Sequence, residues 1–367
     1  MNRRTFTSKT ALGILMAPLA SDSLAAGFFK SASPVKGKIT LGMDGHSVRG
    51  MRWKAHDLIN YASTLNVGSV LFNSMSYFKS LDNDYLQSVS KLLTDKDLRF
   101  YFGVGSLSVN STTYNEKFGN PQQLIEKGIR LAKIFNTPAV TCKIGNVKDR
   151  YTDGGIGARM EEIIKELKAM RSQIQDAGIK FAVENHAGDL RAEEVITIIE
   201  EVGTDICGAM VDPGNSVWSM EDPVEHLQKL GKYALCTSIR NYRIWPSDNG
   251  ATFQWTAVGE GSVDFQKYTQ LMAELCPGVP LHVESISDSP REIPYLTDEY
   301  WQGFPDLKAK DLTGFYNRVK NGSPIDVAAP PLGADENQFW QERQKSELNK
   351  SIAWLRENCP EVEGAWR

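Results

Sequence analysis

Short runs of consecutive apolar residues alternate along the chain with longer stretches in which apolar residues return every third or fourth position. The short runs are KITLGMD from 38, GSVLFNS from 68, LRFYFGV from 98, AVTCKIG from 139, IKFAVEN from 179, ICGAMVD from 206, YALCTSI from 233 and PLHVESI from 280. Runs of this length that are apolar on both faces suit buried parallel strands, and the stretches between them carry the helical period. The clearest spans 121–135, where Leu124, Ile125, Ile129, Leu131, Ala132 and Phe135 share one stripe behind an Asn120 cap and a Pro121 start. The stretch 158–177 does the same with Ile163, Ile164, Leu167 and Met170. Eight such pairs predict an α/β chain folded as a closed (β/α)8 TIM barrel over 38–367, with a doubly wound open sheet as the alternative. The repeat is interrupted once. The stretch 285–337, rich in Pro, Gly and aromatics, separates the last strand from a final helix predicted over 338–359. It is expected to lie over the barrel mouth and bring Tyr295, Tyr300, Trp301 and Phe304 near a ligand.

Ahead of the first strand the pattern changes. Arg3 and Arg4, with Phe6 and Lys9, precede the apolar run 11–20, and small residues follow at 23–26. The run is shorter than the roughly 20 residues that span a bilayer, so no stable membrane span is expected. The reading is a signal peptide over 1–25 of the twin-arginine type, a leader over 26–37 and a periplasmic location.

Composition adds exclusions. With 41 Lys plus Arg against 45 Asp plus Glu the net charge is −4, which gives nucleic-acid binding no support. Five cysteines, widely spaced and without a CxxC pair, exclude a zinc cluster; Cys142 and Cys236, inside apolar runs, read as small hydrophobes, and an oxidising compartment would permit a disulfide. An assembly of identical chains is compatible with the composition.

Functional residues of a TIM barrel sit at the C-terminal ends of its strands. Polar residues stand at those ends here: Asp44 with His46, Asn73, Lys143, Glu184 with Asn185 and His186, Asp212 with Asn215, Ser238 with Arg240, and Glu284. Glu184, Asp212 and Glu284 each emerge from an apolar run onto one mouth, where unpaired carboxylates repel and raise one another's pKa. A divalent cation is the usual remedy. His186, two residues beyond Glu184, is expected at the mouth, whereas His282, one layer deeper, is expected in the core. His56 and His226 fall on helices and are expected on outer faces. His46, Lys143 and Asn215, together with Arg240, Arg243 and Trp245 after strand seven, are candidate substrate contacts. Trp218, Trp245 and Trp255 in the loops after strands six and seven suit stacking on a sugar ring.

Four passages make a resemblance specific: KFAVENHAG from 180, GAMVDPGNS from 208, TSIRN at 237–241, and GEGSVDF followed by PLHVES up to 285. In order and spacing the chain resembles the xylose-isomerase-like barrel family of sugar and sugar-phosphate isomerases and epimerases. The resemblance implies a divalent metal (manganese, magnesium, cobalt or zinc) held by Glu184, Asp212, a strand-seven histidine and Glu284. At the histidine position this chain carries Ser238, a poor ligand for a borderline metal. A harder ion, a water in the fourth place, or carboxylates working without a metal are the options. The resemblance further implies proton transfer next to a carbonyl, with Glu184 and Glu284 as acid and base and His186 in support. The expected substrate is a carbohydrate: a free sugar, keto-sugar or glycoside. Two readings compete with an isomerase or epimerase. One is a lyase or dehydratase that enolises a 3-keto-glycoside-type sugar and then eliminates; the other is a non-catalytic periplasmic sugar binder. The family's DNA-repair endonuclease branch needs a multi-histidine cluster, and this chain has five histidines in all.

Overall fold

The computed structural model describes residues 37–286 and 290–364, so the signal peptide over 1–25 and nearly all of the leader lie outside the described residues. Each apolar run becomes a strand: β1 (Ile39–Asp44), β2 (Ser69–Phe72), β3 (Arg99–Ser106), β4 (Ala139–Lys143), β5 (Lys180–Glu184), β6 (Cys207–Val211), β7 (Ala234–Thr237) and, as the eighth barrel strand, β10 (Leu281–Val283). All pair in parallel in the order β10-β1-β2-β3-β4-β5-β6-β7. Beyond β7, Ile239 bridges to Val283, donating to His282 O at 2.7 Å and accepting from Glu284 N at 2.8 Å. That bridge joins the eighth strand to the seventh, and the protein is an α/β TIM barrel.

The main helices on the outside are α1 (Ala55–Thr64), α2 (Asn83–Asp95), α3 (Pro121–Phe135), α4 (Gly155–Ala169), α5 (Arg171–Asp176), α6 (Ala192–Val202), α7 (Pro223–Leu230) and α8 (Phe265–Leu275). α3 starts where its stripe begins, and Asn120 and Gln123 exchange side-chain-to-backbone hydrogen bonds at 3.0 Å. The stretch expected as one helix over 158–177 is instead two, because Met170 (φ −99°, ψ 8°) leaves helical geometry.

Two apolar layers result. The larger fills the space between sheet and helices, and a small one of Leu71, Tyr101, Ala139, Ala182, Met210 and Cys236 fills the barrel interior. His282 belongs to that interior: it sits 3.0 Å from Ser69 Oγ through Nε2 and 3.0 Å from Thr237 O through Nδ1, a satisfied core histidine that burial drives down to about 3. Gly42 on β1 makes room for it, since a Cβ there would stand 2.3 Å from the imidazole.

The connection after β7, read from the sequence as a loop, is an antiparallel hairpin of β8 (Asn241–Ser247) and β9 (Gly250–Thr256), extended by β11 (Arg291–Ile293). Its signal was present: two alternating runs flank Asp248-Asn249-Gly250, and Gly250 adopts φ +149°. After β11 come α9 (Asp298–Trp301), α10 (Thr313–Asn321) and the long α11 (Glu336–Asn358), and β12 (Val362–Glu363) then pairs with β1. Among the described residues no helix is long and apolar enough to cross a membrane, and all five cysteines are free and buried.

Candidate active site

The side-chain alternation of parallel strands builds the site. Ala182, Met210, Cys236 and His282 point into the barrel, so the residues two further on, Glu184, Asp212, Ser238 and Glu284, point inward one layer higher at the C-terminal mouth. Arg240 continues that series from strand seven. On the flanking strands Asp44 ends β1, beside β10, and Lys143 ends β4, beside β5.

Asp212, wholly buried, is held by four donors. Gly214 N (2.8 Å) and Asn215 N (3.0 Å) bind Oδ1; Asn215 Nδ2 (2.7 Å) and Arg240 Nη2 (2.6 Å) bind Oδ2. Asn185 clamps the Asp212 backbone, accepting from its N–H at 3.0 Å and donating to its carbonyl at 2.8 Å. Arg240 Nη2 also donates to Glu284 Oε2, so one guanidinium bridges two of the three expected ligands. Ser238 Oγ lies 2.8 Å from Glu284 Oε2 and 3.0 Å from Asp44 Oδ2. A hydroxyl has one proton to give, so this chain is satisfied when Asp44 keeps its own. Burial beside Glu284 pushes Asp44 the same way, well above the carboxylate range. Glu284 goes down, because Arg240, His46 and Ser238 outweigh its burial.

Glu184 differs: among the described residues its carboxyl has no hydrogen-bond partner, and burial lifts it to about 8 against the pull of Lys143. Beside it, Lys143 Nζ stands 2.9 Å from His186 Nε2, while His186 Nδ1 faces Gly145 O at 2.5 Å. An ammonium can only donate, so Nδ1 carries the ring proton and His186 is neutral. Burial and Lys143 hold its pKa far down. Asp189, which the sequence reading passed over, fixes this corner by accepting from the backbone N–H groups of Gly145 (2.8 Å), His186 (2.7 Å) and Leu190 (2.6 Å). Its only signal was a turn-forming position in HAGDL.

His46 caps the mouth on the side of strand one. Burial brings it to about 4, and with Arg49, Asn73 and Tyr77 it lines a cavity of about 400 Å³. Over strands four and six, Val147, Tyr151, Trp218, Ile293 and Tyr300 enclose about 210 Å³ more. A further cavity, about 570 Å³, lies off the mouth near the start of α4, where Arg150 is already paired with Glu194.

Several expected contacts are placed elsewhere. Arg243 and Trp245 fall on the hairpin face opposite buried Tyr242 and Ile244, and Arg243 Nε donates to Glu260 O at 2.9 Å. The strand period carries them away from the mouth. Arg240, expected to hold substrate oxygens, keeps its place at the mouth with Nη2 engaged by Asp212 and Glu284, while Asn215 serves Asp212. Of the rim aromatics, Tyr300 donates to Trp218 O (2.9 Å), Trp301 to Tyr295 O (2.8 Å), and Phe304 lies under Arg150, so these pack the rim together. His226, expected on an outer face, is buried, and neither ring nitrogen is bonded among the described residues.

The expected metal fits this arrangement poorly. Asp212 and Glu284 already share a guanidinium, and Ser238 offers no imidazole. Among the described residues no group of three or more His, Cys, Asp or Glu side chains is placed to hold an ion.

The family model described as "Xylose isomerase-like TIM barrel" matches residues 62–301. The chain belongs to the xylose isomerase-like TIM barrel family. No curated protein matches it in sequence. Solved structures share the fold at low identity. D-psicose 3-epimerase of Clostridium cellulolyticum H10, solved with D-tagatose, is 11% identical with TM-score 0.55, covering 86% of this chain and 99% of the other. A xylose isomerase-like TIM barrel protein of Mycobacterium smegmatis, in complex with magnesium, is 13% identical with TM-score 0.53, covering 86% and 98%. The probable 3-DHS dehydratase AsbF of Bacillus anthracis is 13% identical with TM-score 0.51, covering 68% and 93%.

Proposed function

We propose that this protein is an exported, periplasmic sugar isomerase or epimerase that moves a proton next to a carbonyl of a free sugar, keto-sugar or glycoside, with Glu184 as the proton carrier. The observation that carries the reading is the unpaired Glu184 carboxyl, buried at the mouth beside the Lys143–His186 pair. A carboxyl raised to about 8 is a stronger base, once ionised, than an ordinary glutamate. Its carboxylate takes the proton from the carbon beside the carbonyl; the C–H pair becomes the C=C bond and the carbonyl pair moves onto oxygen. Return of the proton to the former carbonyl carbon, while the hydroxyl proton of the first carbon passes to the oxyanion and that carbon becomes the carbonyl, isomerises the sugar; return of a proton to the opposite face of the same carbon epimerises it. The family, and the epimerase among its solved relatives, support this chemistry.

A second reading, elimination, is favoured by a specific contact. An epimerase needs a second proton carrier on the opposite face, and Glu284 is tied to Arg240 and Ser238. After the same enolisation, loss of a hydroxyl or glycoside oxygen with a proton from Lys143 would make the enzyme a lyase or dehydratase. Incubation with free sugars and 3-keto-glycosides in deuterated water, followed by NMR, tests both. Deuterium at the carbon next to the carbonyl, abolished in Glu184→Gln, is expected; an unsaturated carbonyl product selects elimination. No exchange and no product across the panel would leave simple sugar binding.

A further inference from the structure

We propose that Arg240 is the resident cation of this mouth, taking the place of the family's metal ion two residues beyond the strand-seven position where Ser238 replaces histidine, so that the site works without a divalent metal. This rests on the reading of the mouth as the catalytic centre.

Strand seven sends two inward side chains to the mouth. The first, Ser238, lies within reach of Asp44 and Glu284 and has one proton for both. The second, Arg240, lays Nη2 against Asp212 Oδ2 at 2.6 Å and against Glu284 Oε2. A dication entering between those carboxylates would strip the guanidinium of its counter-charges while it is only 6% exposed, and would stand against a positive group at contact distance.

The surroundings are shaped for the arginine. At Gly214 an added Cβ would meet Arg240 Cγ at 1.9 Å and Cδ at 2.7 Å, yet Gly214 has φ −70°, which any residue adopts. The glycine is therefore required by the arginine stem that crosses it, not by its own backbone. On the other side the Trp255 ring lies 5.0 Å from the guanidinium carbon. One further feature points to a ligand: Arg240 Nε is buried with no hydrogen-bond partner among the described residues. A guanidinium stays charged throughout turnover, so it can stabilise negative charge developing on a substrate oxygen as Glu184 removes the carbon-bound proton. The step needs no co-reactant.

The test reads metal directly. The full chain, purified without chelator, is analysed for bound metals, and its thermal unfolding is followed with manganese, magnesium, cobalt or zinc chloride and with EDTA, beside Arg240→Ala. Wild type should carry no stoichiometric metal and keep its midpoint under every addition. Arg240→Ala, with Glu184, Asp212 and Glu284 uncovered, should rise in midpoint with manganese. A wild type that carries one metal ion per chain, lost in Asp212→Asn, overturns the proposal, and so does an equal rise in wild type and variant. The wild-type arm needs no variant to fold. Because no substrate is used, this proposal and the proton-transfer reading fail separately: absent deuterium exchange sinks the latter, bound metal the former.

Discussion

Glu184 should weaken the fold that carries it. Its carboxyl titrates near 4.5 when unfolded and near 8 when buried, so between those values the folded chain holds a proton that the unfolded chain has released. The sign follows: below about 4.5 both states are protonated and nothing is lost, and stability then falls as pH rises through this window. At about 1.4 kcal/mol per unit, the 2.5 units between 4.5 and pH 7 amount to about 3 kcal/mol. At about pH 5 the same reckoning leaves under about 1 kcal/mol. Glu184→Gln keeps the shape, removes the titration and leaves an amide oxygen for Lys143. The variant should be more stable than wild type by an amount that grows with pH, while losing proton transfer. Urea unfolding of both chains at about pH 5 and about pH 7, read by circular dichroism, measures the difference. A gap that is the same at both values, or a variant less stable than wild type at neutral pH, refutes the account of Glu184 as a desolvated, unpaired carboxyl.

Three further outcomes follow from particular groups. If Glu184 acts as the base, kcat/KM should rise about tenfold per pH unit and level off near 8; a profile flat between neutrality and that value would show that another group is rate-controlling. His226, buried with both ring nitrogens unbonded among the described residues and held down to about 3 by burial, costs the fold stability as pH drops from 6.5 towards that value. His226→Leu should stabilise by about 1–2 kcal/mol at neutral pH and remove that acid dependence, checked by thermal melts across the range. Arg243→Ala and Trp245→Ala, on the hairpin face turned away from Tyr242 and Ile244, should leave kcat and KM at wild-type values; a large rise in KM in either would bring that face back to the substrate.

The barrel was legible in the sequence because its cause is local. Eight strand-length apolar runs separated by helix-period stretches admit few arrangements, and each run became a barrel strand. The inward layer at the mouth was legible for the same reason: a period of two from a buried interior residue puts Glu184, Asp212, Ser238 and Glu284 on one rim. Asn120 and Pro121 likewise announced α3 from neighbours alone. What the chain pattern left open was decided by partners distant in sequence. Arg240 reads as a candidate substrate contact after strand seven until the fold sets Asp212 and Glu284, 28 and 44 positions away, against one of its nitrogens. Asp189 reads as a turn residue until β4 and β5 lie side by side and its carboxyl gathers N–H groups from both loops. His226 reads as a surface helix position, because helical period tells which residues share a face but not what covers that face. Local pattern determines elements and the direction of each side chain; charge pairing and burial depend on distances across the barrel, which exist only once the strands are joined.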